Sequence, residues 1–341
     1  MIVKKMPIFQ GFSDFESVKN LSKYCISCVN FRPVFYDIET TGLSQYSSFL
    51  YLIGAVVYEQ EQWVLYQWFG ENESDEKELL IEFSNFLKDG YTVTIQYNGN
   101  RFDQPYLEER CHVHELSSPF TQLSSMDLYQ LLKPCKDLLK LARMKQPDLE
   151  EFLHLPRRIF CDGKEGINCY RKYTKSHDED VLSELLGHNQ EDLLGLGRVF
   201  EMLSYLSLFN GMYEPFQAEV SENVLLLSLH LHYPIPVLFS NGNNNFYITA
   251  ESSTARLMVP IINGRLRHYY PNYRDYDYLP AEDTAITRSL SAYMDKSLRV
   301  PAKRDTCYTW FYCDESFLAD KTKQMQYLRH TLPYLLSTLK K

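Results

Sequence analysis

The chain has no apolar run approaching the roughly 18 residues that a bilayer-spanning helix needs, so no helix is expected to cross a membrane. Lys4 and Lys5 near the start are not followed by a continuous apolar segment, so no secretory leader is expected. There is no internal repeat and no low-complexity tract, which removes repeat arrays and compositionally biased linkers. Positive charge is in short supply: 35 Lys+Arg stand against 44 Asp+Glu, a net charge of −9. Global electrostatics therefore do not announce a nucleic-acid binder. Of eight cysteines, only Cys25-x-x-Cys28 has metal or redox spacing, and no second such pair completes a zinc site. Reduced thiols in a cytoplasmic protein are the expectation.

What is present is an ordinary globular composition, 45 % hydrophobic and 23 % charged, with a heavy aromatic load of 26 Tyr and 20 Phe. A length of 341 residues favours two domains. Charge is unevenly spread. Residues 1–215 carry a net −11 and residues 216–341 a net +2, yet residues 133–175 hold 11 Lys+Arg against 6 Asp+Glu. A basic segment inside an acidic half suits a polyanion held at one end and a cation at the other; a solvated helix-loop face is the plainer alternative.

The sharpest local signal is Val34-Phe35-Tyr36-Asp37-Ile38-Glu39-Thr40-Thr41-Gly42-Leu43. Side chains alternate faces along a strand, so Asp37 and Glu39 point the same way at the end of an apolar run. Two such charges about 4 Å apart repel by roughly 4 kcal/mol at an effective dielectric of 20, so they call for a cation, a proton or a basic partner. Around this stretch the pattern predicts strands at 34–38, 49–58 and 62–69, a helix at 75–88, a strand at 91–97, a helix from 104 to about 112, and a short strand near 125–128. Helical residues follow to about 144. Residues 145–177 read as loop, and a helical pattern runs from about 179 to 209, where Gly187, Gly195 and Gly197 imply either a break near Gly187 or close backbone packing. A three-strand meander followed by alternating helices and strands implies an α/β fold, a mixed sheet flanked by helices. Residues 1–30 read as an N-terminal extension, 31–213 as the α/β domain, and 214–341 as a smaller β-rich domain. In the last, strands are expected at 224–239, 246–249, 255–259, 264–270, 292–297 and 307–312. A closing helical stretch at 317–339 is expected to break or kink at Pro333.

Two more loci carry acids. Asp103 follows the 91–97 strand at a helix start, where an Asp is also an ordinary N-cap. Asp192 sits four residues after His188 on one helix face. Four carboxylates of this kind are what a two-metal phosphoryl-transfer site needs, since cations about 3.5–4 Å apart require bridging oxygens. Carboxylate donors favour Mg²⁺ or Mn²⁺, and a neutral His beside them can take a proton from the attacking water.

Asp37-Ile38-Glu39-Thr40-Thr41-Gly42-Leu43 resembles the first motif of the DEDD 3′–5′ exonuclease superfamily, which has a ribonuclease-H-like fold. Asn98-Gly99-Asn100-Arg101-Phe102-Asp103 resembles its second motif, and His188-Asn189-Gln190-Glu191-Asp192 its third. The similarity is greatest to the YprB-type family of bacterial exonucleases. It covers about residues 31–210, with the 278–286 stretch also similar to the C-terminal part of such proteins. The resemblance implies that Asp37, Glu39, Asp103 and Asp192 hold two Mg²⁺ or Mn²⁺ ions, with Asp37 bridging them. It gives His188 the task of orienting or deprotonating water, and Thr41, Leu43, Asn98 and Phe102 contact with substrate, Leu43 as a wedge against the last base. Asp127 is read as a supporting acid. One departure stands out: His precedes the last Asp by four residues, where the superfamily's His-type members use five.

The implied activity is 3′–5′ hydrolysis of terminal phosphodiesters in single-stranded DNA or RNA. The alternatives are a non-catalytic nucleic-acid or protein binding module on the same fold, or an endonuclease with the same chemistry. The C-terminal domain is expected to extend the groove or to bind a protein partner.

Overall fold

The computed structural model describes residues 1–23, 25–26, 30–156 and 163–339. Cys28, and with it the Cys25-x-x-Cys28 spacing, lies outside the described residues, as do Arg157 and Arg158 of the basic stretch. The chain forms two compact units. Met1–Lys133 with Arg143–Leu203 makes the first, and Pro134–Ala142 with Ser204–Lys341 the second.

The first unit contains, in chain order, β1 (Ile2–Ile8), α1 (Phe15–Ser22), β2 (Pro33–Thr40), β3 (Leu50–Glu59), β4 (Gln62–Phe69), α2 (Glu76–Leu87), β5 (Val93–Gln96), α3 (Asp103–Val113), β6 (Ser124–Asp127) and α4 (Leu128–Leu132). After α5 (Cys135–Leu138), which belongs to the second unit, come α6 (Gln146–Phe152), α7 (Gly163–Ser176) and α8 (Glu179–Val199). The six strands form one sheet in the order β1-β4-β3-β2-β5-β6. Its β1, β2, β3 and β4 pair antiparallel, whereas β2–β5 and β5–β6 are parallel. This is the expected mixed α/β sheet. Its central strand, β2, is buried along almost its whole length and carries Asp37 and Glu39 at its C-terminal end.

Two features depart from the sequence reading, and a third decides what the glycines of α8 do. Residues 1–32 are not merely an extension, because Ile2–Ile8 pairs in register with β4 as an edge strand. Residues 145–177 are not mainly loop. In α7, Tyr170 stacks on Tyr51 at 4.1 Å and Tyr173 meets Phe69 edge-on at 5.0 Å, so packing onto β3 and β4 secures a helix that its glycines and charges obscure. The glycines of α8 do not break it. A Cβ at Gly195 would meet a Glu150 carboxylate oxygen at 2.0 Å, and one at Gly197 the Phe12 ring at 2.3 Å, so both mark close approaches.

The second unit holds α9 (Leu203–Phe209), a three-stranded sheet β7-β8-β9 (Tyr213–Ser221, Val224–Gly242, Tyr247–Pro260), and then β10 (Arg265–Tyr269), β11 (Tyr276–Leu279), β12 (Thr284–Thr287), α10 (Arg288–Ser291), β13 (Val300–Pro301), β14 (Tyr308–Tyr312), α11 (Glu315–Ala319) and α12 (Lys321–Thr338). It starts before residue 214 because the Tyr205 hydroxyl donates to the Val237 carbonyl and accepts from the Val237 N–H, which ties α9 to β8. Asn241 likewise ties in α5 by donating to the carbonyls of Asp137 and Leu138. The unit is β-rich as expected, but 292–297 is not a strand; 276–279 and 284–287 are. The terminal helix runs through Pro333. It breaks instead at Asp320, whose side chain caps α12 by accepting from the N–H groups of Thr322 and Lys323.

Candidate metal centre

Strand alternation puts Asp37 and Glu39 on the face of β2 that α8 covers. Asp37 lies opposite Gly54 of β3. A Cβ at Gly54 would come within 2.0 Å of the Asn189 side-chain oxygen, so this glycine lets α8 sit down on the sheet. The helix then presents His188, Asn189 and Asp192 to β2. His188 Nε2 stands 3.4 Å from Glu39 Oε1 and 3.3 Å from Asp192 Oδ2. The ligand atoms of Glu39, His188 and Asp192 all lie within 4.8 Å of one another. Asn189, fully buried, donates to Asp37 Oδ2 at 3.1 Å and accepts from Gln67 Nε2 at 3.0 Å. Gln67 also donates to the Leu186 carbonyl, so the amide pair is fixed from both sides.

Asp103 begins α3 and is 7 % exposed. Burial, with the charges of Asp127 and Asp192, pushes its carboxyl up to about 7, against backbone hydrogen bonds that pull it down. Asp37 is raised well above the usual carboxylate range, first by burial and then by Asp192, Glu39 and Asp103. The four acids from three separate segments are thus close enough to feel one another. Among the described residues, no Lys or Arg forms an ion pair with Asp37 or Asp103.

The remaining residues singled out from the sequence lie in the turn after β2, in the 98–103 loop and at the end of β6. Thr41 closes the turn after β2, its N–H donating to the Phe49 carbonyl and its hydroxyl accepting from the Phe49 N–H. Leu43 stands out at 86 % exposure. Asn98 has φ +60, and Phe102 leans on Tyr106 with ring centroids 5.6 Å apart. Asp127 accepts from the N–H groups of Asn98, Asn100 and Gln130, so it clamps the 98–103 loop and caps α4. The sequence reading missed Asn189 and Gln67. A Gln inside the apolar run Gln62–Phe69, and an Asn next to His188, were the available signals.

The donor set fits a divalent cation. Oxygen donors predominate, as hard cations require. The acids are held in a repulsive arrangement that a cation would relieve. His188 Nδ1 is buried without a hydrogen-bond partner, and its Nε2 faces two carboxylates.

No curated protein sequence matches this chain. Among solved structures it is similar to the family B DNA polymerase from the hyperthermophilic archaeon Pyrobaculum calidifontis, with 17 % identity over 53 % of this chain and a TM-score of 0.42. This chain spans 25 % of that polymerase's length. It is also similar to a chain of an ExoI/SSB-Ct complex, with 13 % identity over 91 % of this chain and 72 % of the other, at a TM-score of 0.33. The RNase H superfamily model matches residues 34–204, half of the 341, which span β2 to the end of α8 and all of the acids above. The chain belongs to the RNase H superfamily.

Proposed function

We propose that the chain is a divalent-metal-dependent 3′–5′ exonuclease that removes nucleoside monophosphates from single-stranded ends, as the resemblance to the DEDD and YprB-type families implies. Superfamily membership supports a nuclease, and the observation that carries the reading is the convergence of Glu39, His188 and Asp192 beside Asp37. Asp37, Glu39, Asp103 and Asp192 would hold two Mg²⁺ or Mn²⁺ ions. Such ions supply charge neutralisation at the scissile phosphate and lower the pKa of water.

The chain's own residues do the rest. Asn189 fixes the Asp37 carboxylate through its amide N–H, and Gln67 fixes Asn189. His188, whose Nε2 faces Glu39 and Asp192, would accept a proton from an attacking water. Its four-residue spacing from Asp192 is close to one helical turn, which is why the two side chains meet. Leu43, exposed early in the β2–β3 connection, is the residue to wedge against the last base, beside Thr41. Asn98 and Phe102 flank the buried Asp103 from the loop that Asp127 holds.

The test is degradation of 5′-labelled single-stranded DNA and RNA with Mg²⁺ or Mn²⁺, and with EDTA. A ladder shortening from the 3′ end, abolished by EDTA and by Asp37→Ala, is the expected result, and it also shows which nucleic acid is preferred. Cleavage of a substrate blocked at its 3′ end would make the protein an endonuclease. Binding without cleavage of either polymer would reduce it to a binding module.

A further inference from the structure

The second unit carries a surface that the cleavage chemistry does not use. Strands β10 and β14 pair antiparallel, with Arg265 opposite Tyr312, Arg267 opposite Trp310 and Tyr269 opposite Tyr308. Alternation places these pairs on one face and His268 and Phe311 on the other. That other face is occupied: His268 and Phe311 both pack on Tyr327 of α12, with ring centroids 5.8 and 5.6 Å away.

The first face is buried at its Tyr269–Tyr308 end, where Tyr269 stacks on Tyr334 of α12 at 4.0 Å, and beyond that end it is a ladder of guanidinium groups and rings. The Arg265 guanidinium lies 4.4 Å from the Trp310 ring, and that of Arg267 lies 4.7 Å from Tyr308 and 5.5 Å from Trp310. The Trp310 indole N–H donates to the Asp283 carbonyl, which fixes the ring's orientation. Tyr312 ends the ladder at 72 % exposure, while Trp310, Arg265 and Arg267 are half-buried. Among the described residues neither arginine forms a salt bridge, and the buried Nε of Arg267 has no hydrogen-bond partner; both guanidinium groups still act on the Asp283 carboxyl, which, against burial, the Tyr278 and Tyr308 hydroxyls and then Arg267 and Arg265 hold below its ordinary value. The nearby carboxylate of Asp283 accepts the hydroxyls of Tyr278 and Tyr308. Residues 264–312 hold eight Lys+Arg against six Asp+Glu in a chain whose net charge is −9.

We propose that the Arg265–Arg267–Trp310–Tyr312 face of β10 and β14 is a stacking platform for single-stranded nucleic acid. Ordered guanidinium groups that form no salt bridge among the described residues suit phosphates. Exposed rings beside them suit unpaired bases, whose faces a duplex would hide. The site goes beyond the exonuclease reading and stands whether or not the acid cluster cleaves.

The experiment uses the full chain carrying Asp37→Asn, in EDTA, so that no cleavage is read and failure of the exonuclease reading leaves the comparison intact. Fluorescence anisotropy follows binding of labelled single-stranded DNA and RNA of about 15 nucleotides, with a duplex of the same sequence as control. Tyr312→Ala and Trp310→Ala are each expected to weaken single-strand binding about tenfold, with Trp310→Phe restoring most of it. Arg265→Gln and Arg267→Gln should each lower the slope of log affinity against log salt by about 0.7. Three results would overturn the proposal: no single-strand binding by the parent, Tyr312→Ala and Arg265→Gln binding like the parent with an unchanged salt slope, or equal losses on the duplex.

Discussion

Among the buried carboxylates of the first unit, Glu76 and those of the metal centre are treated in opposite ways. Glu76, at the start of α2, is 1 % exposed. Its Oε1 accepts from the Leu50 N–H at 2.9 Å and from Arg110 Nε at 2.8 Å; its Oε2 accepts from Arg110 Nη2 at 2.5 Å and faces His114 Nε2 at 2.8 Å. Burial alone would raise its pKa, but the Arg110 hydrogen bonds and the Leu50 N–H outweigh it and hold the carboxyl below its ordinary value. At the metal centre burial has the same sign, yet the neighbours are further acids, so Asp37 and Asp103 are pushed up instead. Burying an acid is tolerable when the chain brings its own cation. Where it gathers acids and brings none to Asp37 or Asp103, the repulsion calls for a proton or a cation from outside. That contrast separates a structural ion pair from a site with a task.

The comparison can be broken at either end. The largest expected effect is on chemistry: Asp37→Ala should lower cleavage by about a thousandfold, while leaving the chelated protein no less stable in urea, since it removes a repelled charge. A fall in the urea midpoint of that variant in EDTA would mean that Asp37 is structural. Next comes Glu76→Ala, which strands Arg110 in the interior and should cost about 3–5 kcal/mol of stability. A loss below about 1 kcal/mol, in the range of exposed pairs, would deny that this pair is the structural counterpart. Smaller again is Asn189→Ala. It frees the Asp37 carboxylate to turn and should raise the Mn²⁺ concentration for half-maximal activity about 10–100-fold. His114→Ala, at the compensated site, should leave the metal dependence where it was.

How far the sequence led depends on whether a signal is local. The acids were legible because strand alternation and one helical turn fix which side chains share a face: Asp37 with Glu39, His188 with Asp192. The mixed sheet followed from the order of elements. Asn189 and Gln67 were not legible as a pair, because their contact needs β4 and α8 brought together over Gly54, and no local pattern records that approach. The strand Ile2–Ile8 escaped for the same reason: its partner is β4, some sixty residues on, and its own burial alternates only between half-buried and exposed. In α7 the glycines and the basic residues masked Tyr170 and Tyr173, whose spacing is helical but whose packing partners lie on β3 and β4. The Arg110–Glu76 pair was likewise invisible, since it joins residues 34 positions apart on two different helices.

The smallest effect concerns pH and tests the sign of the compensated site alone. Glu76 has a folded-state pKa below its value in the unfolded chain, so below about pH 4.5 the unfolded state binds its proton first. Stability from this pair is therefore fully present above that pH and is lost as the pH falls through the folded pKa. In Glu76→Gln the same carboxylate no longer titrates. The gap in urea midpoint between wild type and Glu76→Gln should be constant from pH 7 to about 5 and should narrow steadily below 4.5. A gap that widens on acidification would mean that burial, not Arg110, governs Glu76. The two sites would then be alike, and Asp37 would no longer differ from Glu76 in what its burial demands.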